Sequence, residues 1–417
     1  MTGQPRVFYG WFVVAGVFAI LAVTSGLGFY NASVILSQAV EELGVSTGAV
    51  SLATGVFFAV SGLSGFLMSR RMETVDLRWF YLTGALVGGL ALAGLRFVDS
   101  VAGLYVFFVV FGVAFAFAGL VPSTTIVARW FSRRRSIALS IASTGLSVGG
   151  IVITPLAARL IDARDLAGAG PLLAAAWLAS IVPITLLAIR SRPSDKGLQP
   201  DNDPTPPTPV PVEGASFSAA RHTRFFRAMC VAYALIFLAQ VGAMAHLFNL
   251  ARERVDLGLA ATTISVLAGS SVVGRLAGGV VVLWVPARAL TAGLTVLQGV
   301  SLAWIAFAGH RAALLVGAGL FGLSVGNLLM LQPLLLAEAF GVKEYGRIYS
   351  LNQLFGTVGV AGGPALLGVI HDLADYRWAF TVAALCNVLG LAALVAAGTV
   401  TAARASWRRD QRAPVAA

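Results

Sequence analysis

The chain has 417 residues, 58% of them hydrophobic and only 11% charged, more apolar surface than a soluble domain of this size can cover. Its net charge of +11 would suit nucleic acid, but the basic residues stand in short connections between apolar runs, which argues for a polytopic membrane protein and no nucleic-acid partner. The two cysteines, Cys230 and Cys386, both lie in apolar runs, so neither a disulfide framework nor a metal cluster is indicated, and no cofactor is expected.

Apolar runs of membrane-spanning length predict twelve helices, at 8–36, 49–69, 79–97, 101–127, 136–160, 172–190, 225–250, 260–284, 287–308, 312–340, 347–370 and 377–400. The first begins after a single Arg6 and runs too long for a signal-peptide core. Of the 29 Lys and Arg, 21 fall on the side that carries Arg6, the 129–135 connection, the central segment and the tail. Seven (Arg96, Arg159, Arg164, Arg252, Arg254, Arg311, Arg377) fall on the other, and Arg275 lies within a span. The positive-inside rule then puts both termini and the central loop in the cytoplasm. The location expected is a plasma membrane, specifically a bacterial inner membrane.

In the first helix Thr24, Gly28 and Asn31 share a face, with Tyr30 adjacent, and Asn31 and Tyr30 are candidates to orient a ligand oxygen. Phe111, Phe115 and Phe117 in the fourth helix read as packing. In the fifth, Ala138, Ala142, Gly145 and Gly149 form one stripe of small side chains on which another helix packs closely. The segment 191–224 has prolines every few residues and reads as an extended linker between an N-terminal half, 1–190, and a C-terminal half, 225–417. An internal repeat supports the halves: Phe131, Gly150 and Pro155 recur as Phe340, Gly359 and Pro364, each 209 residues on.

In the seventh helix Gly242, His246 and Asn249 share one face. His246 is the candidate to carry a coupled proton, because histidine changes charge between about pH 5 and 8. The eighth carries Arg275, in a run without an acidic residue. A charge near a bilayer centre costs about 2.5–3.5 kcal/mol on insertion scales and by default marks a functional site. Ser271 lies one turn before it and Gly278 one turn after, leaving room for a ligand. Asn327 in the tenth helix is a further polar candidate. In the eleventh, Gly356, Gly359 and Gly363 repeat the small stripe, with Asn352 on the same face as the one member to test for ligand contact.

Four stretches carry a resemblance: the Tyr9-Gly-Trp11 opening, the block 130–150, the Gly274-Arg-x-x-x-Gly279 block, and the run from Glu338-Ala-Phe-Gly341 to Gly362-Gly-Pro364. Together they resemble the monocarboxylate-transporter and oxalate/formate-antiporter branch of the major facilitator superfamily. The resemblance implies an all-α membrane protein of twelve transmembrane helices in two six-helix halves, and a small carboxylate held by the arginine of the eighth helix, here Arg275. One departure is plain. The superfamily's inner-loop pattern expects an acid four residues after glycine in each half, but Ser69 follows Gly65 and Leu283 follows Gly279.

The reading is a non-enzymatic secondary transporter of small organic anions, monocarboxylates first, working by alternating access with a coupled proton or an exchanged anion in a lipid bilayer. A multidrug or neutral-metabolite exporter of the same fold is the alternative, although an exporter of cations wants an intramembrane acid. A non-transporting carboxylate sensor is the alternative of another class, and it lacks a signalling module. Direct uptake and efflux assays separate them.

Overall fold

The computed structural model describes residues 8–44, 47–202, 214–255 and 257–412. Among them ten helical stretches are long and apolar enough to cross a bilayer, and Ala53–Ser69 is a shorter eleventh. The longest, Arg135–Leu187, breaks at Asp165, a non-glycine residue at φ 56°, and so supplies two spans and brings the number to twelve.

The first unit, Met1–Pro211, holds α1 to α6. α1 runs over Tyr9–Thr24, through a π-helical turn at Ser25–Phe29, into Asn31–Leu43. α2 is Thr47–Ser69, α3 Leu77–Gly94, and α4 Val101–Ala118 continued after a break at Gly119 as Leu120–Trp130. α5 runs from Arg135–Val148 through a second π turn, Gly149–Ile153, to Asp165, and α6 from there to Leu187. The second unit, Val212–Ala417, holds α7 (Arg224–Arg254), α8 (Leu257–Val281), α9 (Ala287–Phe307), α10 (Arg311–Phe340), α11 (Tyr345–Leu373) and α12 (Tyr376–Ala396). A further helix, α13 (Val400–Arg412), follows.

The two units repeat one packing plan. α1 lies on α5, α2 on α4, and α3 on α4 and α6; correspondingly α7 lies on α11, α8 on α10, and α9 on α10 and α12. Small residues set these seams, because helices in lipid associate through close van der Waals packing. A Cβ at Gly145 would strike the Phe18 carbonyl oxygen, and one at Gly149 that of Ala22; Ala138 and Ala142 are buried on the same stripe. In the second unit Gly359 and Gly363 meet the carbonyls of Ala234 and Leu238 of α7 in the same way. The phenylalanines of α4 do pack, Phe111 lying 5.3 Å from Phe107 and from Trp177 and Phe115 5.3 Å from Phe57, while Phe117 lies 5.5 Å from Phe80.

The α1–α5 seam has a feature without a sequence signature. Its two π turns abut, Ser25 Oγ donating to Leu146 O at 2.7 Å and Thr154 Oγ1 to Gly26 O at 2.9 Å. A π turn leaves carbonyls without their usual amide, and hydroxyls from the facing helix supply donors.

Two expectations need correction, and the tail holds a helix that the apolar runs did not include. The first helix runs to Leu43 rather than 36, because Glu42 Oε1 accepts from the Leu166 amide at 2.9 Å and caps α6. α13 buries Trp407, whose Nε1 donates to Ala339 O at 2.9 Å, and Arg404 donates to Glu338 O, so the last carbonyls of α10 gain donors. The linker is not extended throughout. Pro193–Lys196 and Pro200–Asn202 form 3-10 turns, and Asp201 accepts from the Ser132 and Arg133 amides at 2.8 and 2.6 Å. On the far side Ala215 N donates to Phe340 O at 2.8 Å and Phe217 N to Glu344 Oε2 at 3.0 Å. Backbone hydrogen bonds and single carboxylates order these ends, joined on the second unit by burial of Ala215, Phe217 and Ala220. Residues 203–213 lie outside the described residues.

The connection after α2 does carry acids beyond Ser69, namely Glu73 and Asp76. Asp76, ahead of α3, accepts from Arg78 N at 2.9 Å and Arg78 Nε at 2.7 Å and takes a hydrogen bond from Ser191 Oγ, while Ser69 donates within its own helix to Phe66 O, 2.6 Å away. Partial burial pushes the Asp76 carboxyl upward, but the hydrogen bonds from Arg78 and Ser191 outweigh it and hold the group below the usual carboxylate value.

Candidate functional site

The α8–α10 crossing brings three of the candidate residues together. Two small-x-x-x-small pairs face each other there, Gly274 with Gly278 on α8 and Gly322 with Gly326 on α10. A Cβ at Gly274 would stand 2.5 Å from Leu323 O, and one at Gly322 would strike Leu267 O. A Cβ at Gly326 would stand 2.5 Å from Ser271 O and 3.0 Å from both Ser271 Oγ and Arg275 Nε. The guanidinium stem and the serine hydroxyl therefore lie over bare backbone of α10. One residue on, the Asn327 amide fills the space that a side chain at Gly278 would need, so the room expected for a ligand at Gly278 is already taken.

Arg275 is 3% exposed, Ser271 4% and Asn327 2%. Asn327 Nδ2 donates to Leu323 O at 2.9 Å within its own helix, which aims Oδ1 at α8. That oxygen is buried and has no hydrogen-bond partner among the described residues. An acceptor of this kind suits a ligand hydroxyl, and a buried guanidinium suits a carboxylate, to which it presents paired donors.

The other candidates of the second unit lie elsewhere. His246 sits on the α7–α11 seam, its Nε2 2.9 Å from Pro364 O and its ring 5.8 Å from Tyr376. Asn249 is exposed and hydrogen-bonds Tyr376. Asn352 is fully buried: Gln332 Nε2 donates to its Oδ1 at 2.7 Å, and its Nδ2 donates to Cys230 Sγ at 3.3 Å. That network ties α7, α10 and α11 to one another.

In the first unit Asn31 begins the helix after the π turn of α1, fully buried, and neither its Nδ2 nor its Oδ1 has a partner among the described residues. The Tyr30 ring packs over Gly150 of α5 and edge-on to Phe29 at 5.0 Å.

Sequence reasoning missed Gln332 and Gln240. Both are buried in spanning helices, 0% and 5% exposed, and each keeps an Oε1 without a partner among the described residues. The available signal was an amide inside an apolar run.

Comparisons with known proteins agree with this architecture. Residues 18–331 match the family model of the Major Facilitator Superfamily. An MFS-type transporter of Gibberella moniliformis is 25% identical over 401 residues, covering 94% of this chain and 89% of the relative. Monocarboxylate transporter 13 of Rattus norvegicus is 28% identical over 410 residues, covering 94% and 90%. Among solved structures, the human organic anion transporter MFSD10 superposes with a TM-score of 0.70 at 16% identity, covering 94% of this chain and all of that one. The transporter FucP in its outward conformation gives 0.68 at 16%, covering 93% and 98%.

Proposed function

We propose that this chain, which belongs to the Major Facilitator Superfamily, carries small organic anions, monocarboxylates first among them, by alternating access with Arg275 as the carboxylate anchor. That it is a multi-pass membrane transporter and not an enzyme follows from the family. The substrate class and the anchor are our inference. The similarity to monocarboxylate transporter 13 of Rattus norvegicus supports the class.

The observation that carries the reading is the placement of Arg275: 3% exposed, in an apolar helix whose sequence contains no acid, over the bare backbone of Gly326. Burying a guanidinium at membrane depth is costly, and an anion entering beside it recovers part of that cost. Ser271 Oγ and Asn327 Oδ1 then serve the substituents of the acid, the amide oxygen accepting from a hydroxyl. Within the first unit Tyr30 and Asn31 are proposed as groups that orient a ligand oxygen; within the second, His246 and Asn249 are proposed as substrate contacts, with His246 the candidate to carry a coupled proton. Asn352 enters as the weakest member, since its amide already has partners within the second unit. Exchange against a second anion is the coupling that remains if His246 carries no proton.

Residence in a plasma membrane with both termini cytoplasmic belongs to the proposal and rests on the charge asymmetry of the connections. The relatives named above are eukaryotic and lend no support to a bacterial inner membrane.

The test is thermal stabilisation of the purified protein by lactate, pyruvate and acetate against their neutral amides. A ligand at a hundred times its Kd stabilises by about 2.7 kcal/mol, so a binder raises Tm measurably. Stabilisation by the acids and not the amides supports the anchor; equal response to both refutes an anion site.

A further inference from the structure

A groove of about 470 Å³ opens on the second unit between α7, α11 and the short helix Phe217–His222 that precedes α7. Its two ends differ in chemistry. Arg221, His222 and Arg227, all exposed, stand at one end. Phe226, Val231 and Phe355 wall the rest, with Val231 and Phe355 about half exposed. No carboxylate is among its lining residues.

The cationic end is organised. Arg221 Nε donates to His222 Nε2 at 3.1 Å, so that imidazole nitrogen is an acceptor and the guanidinium is held at the rim. The Arg221 guanidinium also lies 5.9 Å from the centre of the Phe217 ring. Arg227 stands on the first turn of α7, a 31-residue helix capped by Thr223, and the positive end of that helix faces the same edge.

We infer that this groove is a binding site for an anionic phospholipid, its phosphate between Arg221 and Arg227 and an acyl chain along Val231 and Phe355. The occupant must be amphiphilic, because a soluble anion leaves the apolar wall uncovered and a neutral hydrocarbon leaves the arginines uncompensated. A zwitterionic headgroup brings its own ammonium to two guanidinium groups, whereas an anionic one brings only complementary charge. Cys230 also lines the groove, and its Sγ accepts from Asn352. The lipid chain therefore lies directly behind the α7–α11 seam. This site is separate from the α8–α10 crossing and does not depend on the transported substrate.

The test is native mass spectrometry of the full-length protein from nanodiscs of phosphatidylcholine mixed with phosphatidylglycerol. The native protein should retain phosphatidylglycerol in preference to phosphatidylcholine. Arg221→Gln with Arg227→Gln should weaken that retention roughly thirtyfold, since each basic residue near a membrane surface is worth about fivefold. Val231→Trp, at an exposed position, should fill the apolar end and lower retention with the arginines intact. Equal retention of the two lipids by the native protein, or unchanged retention in the arginine variant, overturns the site. Displacement of the lipid by soluble glycerol 3-phosphate would show that phosphate alone is recognised, and would overturn the lipid. If the double variant is not monodisperse, Arg221→Gln alone is read by the same ratio.

Discussion

His246 and Pro364 meet across the α7–α11 seam, the imidazole Nε2 2.9 Å from the proline carbonyl oxygen. A carbonyl only accepts, so Nε2 carries the hydrogen, and the neutral ring must hold its lone pair at Nδ1. Nδ1 is buried and has no hydrogen-bond partner among the described residues. Protonation therefore adds a charge to a ring that already bridges two helices.

His246→Gln should keep a donor to Pro364 O while removing the titration. The expected result is a folded protein whose uptake loses its dependence on pH. An unchanged pH profile in proteoliposomes would assign coupling to exchange, or to a substrate that brings its own proton. His246→Ala also loses the seam hydrogen bond and should lower stability by about 1 kcal/mol.

Arg275→Gln should abolish carboxylate binding in protein that remains monodisperse in detergent. Arg275→Lys should also bind poorly, since the charge survives but the planar donor pair does not. One charge-assisted hydrogen bond lost is a tenfold to hundredfold weakening, from about 1.5–3 kcal/mol. Isothermal titration with lactate reads the outcome, and native affinity in the Gln variant would remove the anchor.

Two adjacent glycines of α11 provide a paired test of seam packing. A Cβ at Gly363 would strike Leu238 O and stand 2.9 Å from Gly242 N, whereas nothing lies within 4 Å of one at Gly362. Gly363→Ala should destabilise by about 1–3 kcal/mol through overpacking against backbone. Gly362→Ala should be neutral or slightly stabilising, because alanine costs less entropy in a helix. Equal Tm values for the two would refute the close approach of α7 and α11.

Asp76 gives a pH prediction outside the membrane. Its folded pKa is depressed, so its contribution is present above the unfolded value near 3.8 and is lost as pH falls through the lower folded value. Acid scans below about pH 4 should therefore destabilise the native protein more than Asp76→Asn. Indistinguishable acid transitions would show that the Arg78 and Ser191 contacts do not persist in solution.

Trp407 ties α13 to α10. Trp407→Phe should keep most of the packing and lose the hydrogen bond to Ala339 O, at a cost of about 1 kcal/mol. Hydrogen exchange at the end of α10 should rise in the variant. Unaltered protection there would make α13 a passive tail.

Much was legible in the sequence because a bilayer imposes simple rules. Apolar length fixed the twelve spans, since lipid-exposed backbone must satisfy its own hydrogen bonds. The glycines of α5 and α11 announced their seams, because Gly145 and Gly359 at helical spacing have few uses besides close approach. Arg275 stood out because a charge at membrane depth is expensive. Which groups surround that charge was decided only by the tertiary structure. Gly326 and Asn327 lie some 50 residues along the chain from Arg275, and only the α8–α10 crossing brings them to it. The π turns of α1 and α5 were illegible, because they depend on hydroxyls of a facing helix. The order at the first end of the linker came from single carboxylate contacts, as with Asp201, which leave no hydrophobic pattern to read. Composition and periodicity record what each helix must bury, whereas the partners that meet at a crossing are set by three-dimensional packing.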